Sequence, residues 1–459
     1  MISRVTRILV GALAVSACGG SSNNNHPDAS HQQDASHADT KQVDAAEAID
    51  AAPAAETPLP TGAPVVIPLK TISQISYTGP LQTGGQAQDV ILDTGSTTLG
   101  IAASTCTNCG VAPLYTPGKG AVDQKKTASS MYADQTGWDS EIFSDTVQLG
   151  SAASTSVKFG AINSSNGFFR DFDGTGVKYE GILGLGPDLN LIQGTTSYVT
   201  GVFGGGVAKE MAFQLCPDGG TMWLGGYDPT AQAGPQAVTP MVTLMGQQPF
   251  YMVDTANMSV GHASLGLTSA DFGPTILDTG TSIAFIPTAA LNGMTSAIEA
   301  SAGYQAAFGT QSLTDGEGCV QTTLTGAQID AMLPPIGVSF PGVGPGNSEF
   351  VDLPATRSYL VPEGGGLWCY GMADATQLTG GQFTASLFGD SLLAAWTTTI
   401  DIDDDKVGFA PQQGCSQADS DVSKRPALVL EPGIPWWKQD PRVRTPDPVA
   451  FRRKLGLHE

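Results

Sequence analysis

The chain has 459 residues, enough for two or three ordinary domains, and its 57 Gly and 30 Pro stand beside only 14% charged residues. Long helical periodicity is rare, so short strands joined by many turns, an all-β architecture, are expected. A net charge of −22 with only 21 Lys and Arg leaves no basic face for nucleic acid, and the acidity reads first as solubility and second as tolerance of acidic surroundings.

The chain opens on a targeting segment. Arg4 and Arg7 precede the apolar run from Ile8 to Ala17, which is too short to span a bilayer permanently. The run closes on Val15-Ser16-Ala17-Cys18. This resembles the lipobox of bacterial lipoproteins, in which the Cys becomes the lipidated N-terminus. The resemblance makes residues 1–18 a lipoprotein signal peptide and Cys18 the lipidation site; the alternative is an ordinary secretory signal. Gly19, rather than Asp, follows and implies sorting to the outer membrane. Residues 19–61 are rich in Ser, Asn, His, Asp and Ala, cannot bury enough apolar surface to offset ordering, and read as a disordered linker. Its His26, His31 and His37 read as solvated linker rather than a metal tract. Besides Cys18 there are six cysteines, an even number that in an exported chain reads as disulfides, with connectivity left open.

From Val65 the sequence turns to strands: Val65–Leu69, Ile75–Tyr77 and Gln88–Leu92, then Val147–Leu149 and Met222–Leu224, with turn residues such as Thr83-Gly84-Gly85-Gln86 between them. The third of these strands runs into Val90-Ile91-Leu92-Asp93-Thr94-Gly95-Ser96-Thr97. A carboxylate at the end of a buried strand is expensive unless hydrogen bonds satisfy it, and the hydroxyls and glycine that follow can do so. The phrase returns 185 residues on (278 − 93) as Thr275-Ile276-Leu277-Asp278-Thr279-Gly280-Thr281, which signals a duplicated unit whose two acids meet. Met252–Asp254, Met258–Val260 and Leu333–Phe340 read as strands, and Pro287–Glu299 as a helix with Pro in its first turn. An apolar-apolar-Gly step, Ile182-Leu183-Gly184 and then Leu387-Phe388-Gly389, recurs after each acid and points to a strand packed close behind each loop. Residues 416–459 hold 8 of the 21 basic residues and six prolines, and carry Trp436-Trp437. Two readings of this tail stay open: a loose appendage, or a segment whose aromatic pair docks on the core or a partner.

Elimination narrows the chemistry. His262 is the one histidine away from the two ends, and it sits in a Gly-His-Ala turn. A Ser-His-Asp or Cys-His site would need this one residue as its base. Cys106-x-x-Cys109 has no matching pair, so no zinc site is expected, and neither phosphate- nor dinucleotide-binding glycine motifs occur. Carboxylates remain. Two acids related by a pseudo-twofold axis share one proton, because like charges about 3 Å apart cannot both ionise. One then takes a proton from a water between them while the other donates to a substrate carbonyl. In that arrangement Gly95 and Gly280 supply tight turns and N–H donors, Ser96 and Thr281 donate to the outer carboxylate oxygens, and Thr94 and Thr279 bond across between the loops.

With these motifs, the sequence from about Ala63 to Cys415 resembles the pepsin-type aspartic proteases. The resemblance implies an all-β bilobal fold with a central cleft: an N-terminal β lobe over 62–235 and a C-terminal β lobe over 236–415, followed by the basic tail 416–459. It puts Asp93 and Asp278 on the catalytic pair and Tyr132 on the flap, the hairpin that closes over substrate and excludes water. It pairs Cys106 with Cys109, Cys319 with Cys369, and Cys216 with Cys415. The family often carries a Trp seven residues after the first Asp, bonded to the flap tyrosine; this chain has Gly100 there, and Trp138 is the candidate replacement. Where secreted animal members have a Lys-rich inhibitory prosegment, this chain has an acidic linker with Lys41 alone. The basic tail, with Lys424, Arg425, Arg442, Arg444 and Arg452 to Lys454, is a candidate cover for an acidic cleft.

The expected function is an endopeptidase that hydrolyses peptide bonds by a water activated between two Asp carboxylates. It needs no cofactor or metal, acts on peptide or protein as a monomer, and is lipid-anchored to a bacterial envelope. A non-catalytic, inhibitor-like binder of the same fold is the alternative, motivated by Gly100. A two-carboxylate glycosidase would need acids about 5 Å or more apart, which the symmetric hydroxyl-supported loops disfavour.

Overall fold

The computed structural model describes residues 64–72, 75–132, 136–169, 179–342, 348–415 and 428–456. The signal peptide, Cys18 and the linker to residue 61 lie outside them. The architecture is bilobal and mostly β. Among the described residues a thirteen-stranded sheet is joined by sheets of five, four and three strands.

The acid-bearing strand Gln86–Asp93 begins half-exposed and ends fully buried. It pairs antiparallel with Tyr77–Thr83 and parallel with Gly181–Gly184, which puts Asp93 opposite Gly184. The second copy repeats this arrangement. Pro274–Leu277 pairs antiparallel with Met252–Asp254 and parallel with Ser386–Phe388. The backbone N–H of Leu185 donates to Asp93 O at 2.8 Å, and that of Asp278 to Phe388 O at 3.0 Å. A Cβ on Gly184 would overlap the backbone of Thr97 and Thr98, and one on Gly389 the carbonyls of Thr281 and Ile283. The recurring glycine is therefore the residue that lets the rear strand touch the acid loop.

The two halves share a sheet. Glu210–Cys216 pairs with Trp396–Asp401, Val65–Thr71 with Gly219–Leu224, and Ala237–Pro240 with Lys406–Pro411, all antiparallel. Trp396 is fully buried there, its ring 4.8 Å from Phe409, which stacks on Phe340 at 4.4 Å. Cys216–Cys415 ties the same region, while Cys106–Cys109 and Cys319–Cys369 close local loops.

Several boundaries differ from the sequence reading. The strand expected from Ile75 starts at Tyr77, with Ile75 buried just before it. The strand expected over Leu333–Phe340 runs Ile336–Pro341, because Pro334 and Pro335 have no N–H to give a ladder. Before it lies an unforeseen helix, Gly326–Met332, opened by a capping box between Thr325 and Gln328. The expected helix is Thr288–Glu299 with Pro287 as its N-cap; Ala290, Leu291, Met294 and Ile298 form its buried face. The tail is no loose appendage where it is described: Trp436–Gln439 and Pro448–Lys454 are helical, and Trp436, Val443, Phe451 and Leu455 are buried. His262 occupies an exposed turn with positive φ (68°).

Candidate active site

The two acid loops meet at the centre of the cleft. Asp93 and Asp278 are each only 5% exposed. Within its own loop each carboxylate accepts two hydrogen bonds. The Gly95 N–H donates to Asp93 Oδ1 at 2.8 Å and the Ser96 hydroxyl to Asp93 Oδ2. The Gly280 N–H donates to Asp278 Oδ1 at 2.8 Å and the Thr281 hydroxyl to Asp278 Oδ2 at 2.7 Å. Each glycine also faces the opposite acid: a Cβ on Gly95 would overlap the Asp278 carboxyl, and one on Gly280 that of Asp93. Both positions must therefore be glycine for the acids to approach.

The loops are fastened by a crossed set of bonds. Thr94 Oγ1 donates to Leu277 O and Thr279 Oγ1 to Leu92 O, both at 2.8 Å. The Thr279 N–H donates to Thr94 Oγ1 at 3.0 Å, and the Thr94 N–H to Thr279 Oγ1 at 3.2 Å. Both threonines are buried, so these bonds are not exchanged with water.

Burial, and then the charge of Asp93 beside it, raises the Asp278 carboxyl well above the ordinary carboxylate range, so the pair retains a proton where isolated acids would have lost theirs. A third acid, Asp390, was not foreseen. It opens the short helix after Gly389, is fully buried, and is raised well above its usual range by burial and by the charges of Asp278 and Asp93. The apolar-apolar-Gly step located its strand, but nothing in the sequence placed its side chain near the pair.

The flap side of the cleft is built from Tyr132 and Trp138. Tyr132 follows the strand Val122–Met131, and its N–H donates to Thr136 O at 2.7 Å across the hairpin; residues 133–135 lie outside the described set. Its ring stacks on Phe168 at 5.2 Å, and burial pushes its hydroxyl pKa up to about 12. Trp138 Nε1 donates to Tyr132 Oη at 3.1 Å. A Cβ at Gly100 would lie 3.0 Å from Trp138 Cζ2. The indole from position 138 thus fills the room a side chain at position 100 would take, and it makes the tyrosine bond itself.

The opposite side of the cleft is formed by the basic tail, which the sequence offered as a candidate cover for an acidic cleft. A cavity of about 710 Å³ is lined by the two acids and Tyr132 and, across from them, by tail residues that include Arg444, Phe451 and Lys454. Among the described residues no group of His, Cys, Asp and Glu is arranged to hold a metal ion.

A family model for the eukaryotic aspartyl proteases matches residues 76–412, which span both acid loops and the flap. The chain belongs to that family. It is 28% identical over 241 residues to the aspartic protease of Phaffia rhodozyma, covering 52% of this chain and 56% of the relative. It is 26% identical over 246 residues to embryonic pepsinogen of Gallus gallus, covering 51% and 61%. It is 23% identical over 354 residues to pepsin A of Callithrix jacchus, covering 75% and 83%. Over the fungal and chicken relatives, the chain therefore spans little more than half of their length.

The site's acids belong to a wider set with a consequence for stability. Glu180 and Glu210 are pushed up to about 7, mainly by burial, and burial also raises Asp254 and Asp401. With Asp278 and Asp390, these groups hold protons in the folded chain that the unfolded chain releases above about pH 4. The folded state binds more protons across that window, so stability is fully present below about pH 4 and falls as pH rises toward about 7. Thermal melting at steps from pH 4 to 7 should show a falling midpoint; a flat or rising midpoint would contradict this account.

Proposed function

We propose that the chain is an aspartic endopeptidase, in which Asp93 and Asp278 together activate a water against a peptide carbonyl. The observation that carries this reading is the crossed pair of acid loops, two buried carboxyls each supplied with the same two donors and each facing the other's glycine. The pair keeps one proton between them. The ionised partner takes a proton from the water, and the protonated partner donates to the carbonyl oxygen as the tetrahedral centre forms. No covalent intermediate is needed. The proton belongs to the pair, which titrates as a unit. Tyr132, held by Trp138, covers the reacting centre. The non-catalytic reading drew on Gly100, and Trp138 supplies the bond whose absence motivated it.

Assay on unfolded casein at acid pH tests this. Asp93→Asn and Asp278→Asn should each lower kcat by about 100-fold or more, since each removes a general acid or base. Trp138→Phe, which keeps an aromatic side chain but loses the bond to Tyr132 and part of the packing over Gly100, should lower kcat/KM by about two- to tenfold. Hydrolysis unchanged in either Asn variant would sink the mechanism.

We further propose that the protein is a monomer tethered to a bacterial envelope through lipid on Cys18, most simply at the outer membrane. The six other cysteines are all used in three disulfides, which leaves Cys18 for another role. Cys18→Ser should move the protein from the membrane to the soluble fraction; an unchanged distribution would exclude the anchor.

A further inference from the structure

The C-terminal segment has no part in the chemistry proposed above, yet it is built into the cleft. Its entry is fixed by Trp436, whose indole N–H donates to Tyr370 O at 2.9 Å and whose backbone N–H donates to Glu317 O at 2.8 Å. Arg442 follows, buried against Asp440 at 2.8 Å and against Glu363. Leaving a buried guanidinium without its two carboxylate partners would be costly, which favours this register of the segment.

The next residues run along the cleft wall. The Arg444 N–H donates to Ser282 Oγ at 2.9 Å, and the Ser282 N–H donates to Arg444 O at 2.8 Å. Ser282 lies four residues after Asp278 in the acid loop, so one main-chain bond and one bond to the Ser282 hydroxyl tie the segment directly to that loop. The Arg444 side chain reaches under the flap. Its Nη1 donates to Tyr179 Oη at 2.8 Å, and its guanidinium lies 5.4 Å from the Tyr132 ring centroid and 5.0 Å from that of Phe168.

The segment then turns into the helix Pro448–Lys454, whose first turn is capped by the Asp447 side chain accepting from the Ala450 N–H at 2.7 Å. Phe451 stacks on Phe250 at 6.1 Å. The helix ends at the dyad: Lys454 Nζ donates to the carbonyl of Gly95, the residue next but one after Asp93, at 3.0 Å. Burial lowers the lysine pKa, and the charges of Asp93 and Asp278 oppose that lowering. A half-buried ammonium without such partners would be costly.

We propose that residues 436–454 are an intramolecular occupant of the cleft, which competes with peptide substrate through Arg444 under the flap and Lys454 at the acid pair, and which keeps the protein latent until it is displaced. Arg444 and Lys454 line the same cavity as Asp93, Asp278 and Tyr132, so they take up part of the space that a bound peptide would use. This rests on the reading of the cleft as a peptide site, and it adds a regulatory role for a segment that begins beyond the family match, which ends at residue 412.

The test uses the full chain in three forms: unaltered, Lys454→Met and Arg444→Ala. The two substitutions act at separate points, one at the dyad and one under the flap. Two quantities are read: binding of a fluorescent synthetic peptide copying residues 428–456, and casein hydrolysis at acid pH. Each variant loses charged contacts of its own segment, so each should bind the added peptide about tenfold more tightly than the unaltered chain and gain about tenfold in kcat/KM. Tighter peptide binding with no hydrolysis in any form would uphold the occupant and reject the protease reading. Equal hydrolysis in all three forms with no gain in peptide binding would overturn the occupant and leave the protease reading standing.

Discussion

The hydroxyl of Thr94 donates to Leu277 O and that of Thr279 to Leu92 O, so each acid-bearing strand ends on a bond to the other half of the chain. The crossed threonines set the spacing of the acids, the glycines at 95 and 280 allow it, and the two local donors to each carboxylate make its burial affordable. The rest of the fold serves this junction. Strands from both halves share one sheet beneath it, and Gly184 and Gly389 bring the rear strands into contact with the loops. A shift at any of these points would separate two groups whose chemistry depends on contact.

Charge is distributed to match. The chain is strongly acidic overall, yet 8 of its 21 Lys and Arg lie in residues 416–459. A cleft that buries several acids draws cations, and three tail cations take up buried or half-buried posts in or beside it: Arg442, Arg444 and Lys454. The Arg442 cluster is weak evidence for stability, since desolvating three charges offsets most of their attraction. Its contribution is positional: it decides where the tail enters, and so which side chains reach the flap and the acids.

Much of the site was legible in the sequence because it is written locally and twice. Asp93 and Asp278, with their hydroxyl and glycine neighbours, form short repeated phrases, and the chemistry needs those residue types in that order. Gly100 with Trp138 was legible as an exchange only against the family pattern; that the indole fills the space above Gly100 is a packing fact. The short helices Ala302–Phe308 and Gly326–Met332 escaped notice because each is only seven residues long, although the Thr325 to Gln328 capping box was a readable signal. The place of Asp390 and the individual contacts of the tail were hidden for another reason, although the tail's basic residues had marked it as a candidate cover for the cleft. Their partners are distant in sequence: Trp436 meets Tyr370, Arg444 meets Ser282, and Lys454 meets Gly95. Composition marked the tail as basic, but only the fold shows which acids it meets.

Asp93 and Asp278 are read as one proton-sharing unit. The most direct measurement is carbon-13 NMR of labelled Asp carboxyls through an acid-to-neutral titration. It is best made on the full chain carrying Lys454→Met, so that the ammonium does not mask the pair, and compared with the same chain carrying Asp93→Asn or Asp278→Asn. The account predicts two signals that titrate in steps several pH units apart, with the wide separation lost in either Asn form. Two carboxyls that titrate independently near the ordinary value of about 3.9 would contradict it.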